Sequence, residues 1–107
     1  MQARELIDDL DNEPVFSVAS VWEVAIKYGR GRGDFRVEPG VLRRGMLDNG
    51  YRELTVTGEH AVMVASLPLL HRDPFDRILV AQSIVEGIML LTTDPLVAQY
   101  PAPVRRV

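Results

Sequence analysis

Three acids, Glu23, Asp76 and Asp94, hold comparable places in the chain. Each stands at or just inside an expected helix start, in "VFSVASVWE", "HRDPFDRILVAQS" and "IMLLTTDP". Gathering them has a cost: two unit charges about 5 Å apart, at an effective dielectric of about 20, repel by roughly 3 kcal/mol. A hard divalent cation removes that penalty, and carboxylate oxygens suit Mg2+ or Mn2+ better than zinc. A cation so held polarises a phosphate, lowers the pKa of an attacking water and steadies a leaving oxygen, which is phosphodiester-hydrolysis chemistry. Taken singly, each acid also has a simpler use as a helix cap. "SVWE" matches a capping box from Ser20 to Glu23, and Glu23 and Lys27 form an i,i+4 pair of the favourable orientation. Asp73 reads as an N-cap ahead of Pro74, which makes it a secondary candidate only.

Other chemistries find no support in the residues. There is no cysteine, hence no thiol nucleophile, disulfide or cysteine metal site. "GRGRGD" contains glycines but follows a helix instead of leading from a strand into one, so it is not a phosphate loop. The serines and the two histidines suggest no triad. His60 lies on a helical face and reads as packing or surface. His71, beside Asp73, could touch a substrate, but its simpler reading is an ordinary loop histidine.

The elements that must position these groups alternate in type. A short helix is expected over "ARELIDDL", a buried strand over "VFSV", and a helix from Ser20 to about Tyr28. A further helix runs from Pro39 to the "DNG" stop at residues 48–50, followed by a strand over "YRELTV" and a helix over "TGEHAVMVASL". Pro74 to Glu86 is the strongest helix, closed by Gly87; "IMLLT" is an apolar strand, Asp94-Pro95 opens a short helix, and "APVRRV" is a last strand. The alternation indicates an α/β domain with a mainly parallel sheet. In such sheets ligands bind outside the carboxyl ends of the strands, where Glu23 and Asp94 would follow their strands and Asp76 would begin the helix between.

The 107 residues suffice for a single domain, 1–107, and the composition is ordinary for a globular protein at 47% hydrophobic and 25% charged. The lack of cysteine fits a reducing compartment, so a cytoplasmic location without a membrane span is expected. The net charge of −3 argues mildly against nucleic acid. The distribution is less neutral: every cation but Lys27 is arginine, and Arg30, Arg32, Arg36, Arg43 and Arg44 lie close together. Arginine suits bidentate phosphate contact, although a general bias toward arginine explains the pattern more simply.

"FSVASVWEVAIK", "LPLLHRDPFDRILVAQSIVEG" and "LLTTD" together resemble the PIN-domain family, in particular the VapC-like toxins of bacterial toxin–antitoxin pairs. The resemblance runs from about Ala3 to the end of the chain. It implies a three-layer α/β/α fold and Mg2+- or Mn2+-dependent endoribonuclease activity. A cognate antitoxin and a homodimer are the partners it implies. Position by position, Glu23, Asp76 and Asp94 match the family's metal-holding acids, Asp73 takes an outer or capping role, and Arg72 and Arg77 are placed to face RNA phosphates, with Arg30 and Arg32 as further contacts. The family's usual opening, an apolar central strand ending in aspartate, has no counterpart here. The first strand is therefore expected to be missing, with a shifted element or another chain filling its place and activity impaired. The rival expectation is an inactive PIN-like remnant serving as a protein-binding module.

Overall fold

The computed structural model describes residues 5–7, 12–30 and 36–107. The fold is of the α/β class, and among the described residues both strand pairings are parallel. Two compact units are present, Leu10–Thr55 and Met1–Asp9 with Val56–Val107. Residues 5–7 are helical, in line with the expected first helix, whose remaining residues lie outside the described ones.

In the Leu10–Thr55 unit, strand β1 (Val15–Ser17) leads directly into helix α1 (Val18–Gly29), and helix α2 (Pro39–Asp48) is followed by strand β2 (Arg52–Leu54). The strands pair with Phe16 opposite Glu53. The helix begins earlier than the "SVWE" pattern suggested. Ser17, not Ser20, is its N-cap: Ser17 has an extended backbone, and its hydroxyl oxygen accepts from the Ala19 N–H at 3.0 Å. Ser20 is already inside the helix, so the capping box expected between Ser20 and Glu23 does not form, and Glu23 falls in the second turn. Glu38 caps α2 through the Gly40 N–H at 2.9 Å, with Pro39 in the first turn. Arg43 clasps Glu53 through two nitrogens and Arg52 reaches Glu13 at 2.7 Å, so two of this unit's arginines are occupied by acids.

The second unit contains helix α3 (Gly58–Val64), helix α4 (Pro74–Glu86), strand β3 (Leu90–Thr92), a 3-10 turn (Val97–Gln99) and strand β4 (Val104–Arg106). Its core is Val80, Val97 and Tyr100, with Leu67, Ile84, Leu90, Ala102 and Val104 packed against them. Leu90 pairs with Val104 across the parallel ladder, so both present the same face to this core. Asp73 caps α4 through the Phe75 N–H at 2.9 Å, and Gly87 ends it in the left-handed region at φ 67°. The chain reverses at Gly87, so the start of α4 faces the carboxyl end of β3, on which the helix packs.

His60 does not sit on the surface. It is fully buried, with Nδ1 accepting from the Thr57 N–H at 3.0 Å and Nε2 2.7 Å from Glu86 Oε2. It ties the start of α3 to the end of α4. Among the described residues the strands form two two-stranded ladders, β1 with β2 and β3 with β4.

Candidate metal centre

The centre assembles where α4 starts and β3 ends. The Asp73 cap and Pro74 set the first turn of α4, and that turn carries Asp76. Beyond β3, the Thr92 hydroxyl oxygen accepts from the Asp94 N–H at 3.0 Å, and Asp94 Oδ1 accepts from the Leu96 N–H at 2.8 Å. These local bonds hold the aspartate at the strand's carboxyl end, as expected for an α/β binding edge.

A third group comes from the loop before α4. The buried Tyr100 hydroxyl accepts from the His71 N–H at 3.0 Å and from Arg77 Nη1 at 3.1 Å. Arg77 also donates to the carbonyls of Pro68 and Val64, each at 3.1 Å, which staples the 64–71 segment to α4. The imidazole of His71 is thereby set between the two acids. Its Nε2 lies 2.9 Å from Asp94 Oδ2 and 3.3 Å from Asp76 Oδ2. Its Nδ1 accepts from the Asp73 N–H at 3.0 Å.

Metal-capable atoms of His71, Asp76 and Asp94 all lie within 4.8 Å of one another. Their side chains are 19%, 30% and 37% exposed, so the cluster is open to an ion from solvent yet partly shielded. The Asp94 carboxyl is held below its usual range, first by the Leu96 N–H and then by the His71 hydrogen bond, against a smaller opposing effect of burial. Both bonds favour the ionised form of Asp94. Two ionised oxygen donors beside one imidazole fit a hard divalent cation, and nothing here offers the sulfur that would favour a soft one.

Of the acids singled out by type and spacing, Asp76 and Asp94 are brought together. Glu23 belongs to the other unit, on α1, where its carboxylate lies 3.4 Å from Lys27 Nζ. Asp73 contributes its side chain to the helix cap and its N–H to His71. Arg72 is exposed beside the cluster, and Arg30 is exposed at the end of α1. Arg77 directs its donors inward to two carbonyls and Tyr100. Arg32 lies outside the described residues. The residue that sequence reasoning undervalued is His71. Its only local signal was its place two residues before an N-cap, whereas its contact with Asp94 spans 23 positions.

Among the described residues no helix is long and apolar enough to cross a membrane. Comparison with curated proteins and with solved structures gives no match. A family model described as "PIN domain" matches residues 1–102. PIN domains are typically metal-dependent nucleases acting on nucleic acid, and a paired-carboxylate centre at a strand–helix edge is the kind of site such chemistry requires. On a match that spans nearly its whole length, the chain belongs to the PIN domain family.

Proposed function

We propose that this protein is an endoribonuclease of the VapC-like toxin type, hydrolysing RNA phosphodiester bonds with Mg2+ or Mn2+. The observation that carries the reading is the pair of carboxylates, Asp76 and Asp94, whose Oδ2 atoms flank one imidazole nitrogen at 3.3 and 2.9 Å. Asp76 and Asp94 hold the ion, and Glu23 is the further acid proposed to serve it. A bound divalent cation supplies Lewis-acid polarisation of a phosphate and charge for a leaving oxygen. Arg72, next to His71 in the chain, and Arg30 are the proposed phosphate contacts. Arg77 instead braces the loop that carries His71. A cognate antitoxin, a second copy of the chain and a single cooperative domain complete the proposal.

The test is cleavage of a structured RNA by the full chain with Mg2+, with Mn2+ and with EDTA, alongside Mn2+ titration. Asp76→Asn and Asp94→Asn should each abolish cleavage. Each should also weaken Mn2+ binding by more than the roughly 10–100-fold typical of losing an outer-shell partner. Glu23→Gln should lower cleavage while leaving the fold intact. Unchanged Mn2+ binding in Asp76→Asn would reduce the acids to helix caps. Absence of cleavage in every form, with a protein partner still captured, would favour the inactive binding module.

A further inference from the structure

We infer that His71 is the positioning residue of the proposed metal centre, orienting the Asp94 carboxylate through an Nε2–H donor and not ligating the ion itself. The inference rests on the proposed metal site.

The tautomer follows from hydrogen-bond direction. The Asp73 backbone N–H can only donate, so His71 Nδ1, 3.0 Å away, must accept and carries no proton. In the neutral ring the proton is then on Nε2. That nitrogen is hydrogen-bonded to Asp94 Oδ2 at 2.9 Å, with Asp76 Oδ2 3.3 Å away. A ligating imidazole presents a lone pair to its metal. Here that would require moving the proton to Nδ1, where it would oppose the Asp73 N–H.

The Asp94 carboxylate is therefore gripped from two sides, Oδ1 by the Leu96 N–H at 2.8 Å and Oδ2 by His71. Each oxygen retains a second lone pair for an ion. Donors of this kind, bonded to a metal-holding group, set its orientation and commonly decide metal affinity. The ring is fixed in turn. The His71 N–H donates to the buried Tyr100 hydroxyl, and the side chain is only 19% exposed. Asp73 links both halves of the centre: its side chain caps the helix that carries Asp76, and its N–H sets the ring that holds Asp94.

Two substitutions separate orientation from structure. His71→Asn keeps an acceptor oxygen near the place of Nδ1, and so the Asp73 bond, but cannot reach Asp94. His71→Gln places an amide N–H near the place of Nε2. Mn2+ affinity is read on the full chain from the electron paramagnetic resonance signal of the free ion. His71→Asn should bind about 10–100-fold more weakly than wild type, and His71→Gln should recover most of the loss. Thermal unfolding of both should stay close to wild type.

Affinity in His71→Asn equal to or tighter than wild type would overturn the inference, the latter showing that the ring merely obstructs the ion. Hyperfine coupling from an imidazole nitrogen directly bound to Mn2+ would overturn it too. In case a variant fails to fold, the wild-type ring nitrogens are read by 15N NMR without metal, and a proton found on Nδ1 defeats the assignment. If wild type itself binds no Mn2+, the metal centre fails and His71's role with it. Binding that is insensitive to residue 71 removes only the latter.

Discussion

Asp94 accepts hydrogen bonds through both oxygens, and its acidity follows from them. The Leu96 N–H is the larger influence and His71 the next; together they hold the carboxyl below its ordinary value of 3.8. The sign of the consequence is set by linkage. A carboxyl more acidic in the folded than in the unfolded chain stabilises the fold fully above 3.8, and that contribution disappears as pH falls through the lower folded value. The Asp94 carboxyl 13C resonance, followed below about pH 5, should therefore titrate at lower pH than an exposed aspartate. Titration at the ordinary value would show that the Leu96 and His71 bonds are not kept in solution.

At the scale of the elements, α4 sets the site, and its two ends are the parts most plainly written in the chain. Asp73-Pro74 starts it and Gly87 stops it, as expected from the N-cap, first-turn proline and left-handed glycine preferences. Gly87 has φ 67° with open space around its Cα, so Gly87→Ala should destabilise through backbone strain alone, by about 1–2 kcal/mol. A urea midpoint unchanged by that substitution would contradict the left-handed cap. The start of α1 was less legible because two serines three residues apart could each cap. "SVWE" favours Ser20 on local pattern, but β1 ends at Ser17 and leaves that residue extended, free to accept from Ala19. His60 and His71 were illegible for a different reason. Both are defined by partners far along the chain, Glu86 and Asp94, and no periodicity in a single sequence encodes such meetings. Asp76 and Asp94 could be nominated from type and spacing, whereas the imidazole between them could not.

For the whole molecule, the proposed ion is also a stabiliser. A ligand that binds only the folded state adds about 2.7 kcal/mol at a hundred times its dissociation constant. Mn2+ in that excess should raise the thermal midpoint of the wild type, EDTA should reverse it, and Asp94→Asn should show neither effect. A midpoint indifferent to Mn2+ would count against the centre. The tyrosines are distributed so that this can be watched unit by unit. Tyr28 and Tyr51 belong to Leu10–Thr55, while Tyr100 is buried in the other unit with its hydroxyl on the main chain of His71. A fluorine beside each phenol oxygen would make the chain its own spectrometer. One 19F line would sense events at the acids from inside the fold, two others would serve as internal controls, and loss of all three at one temperature would identify a single melting body.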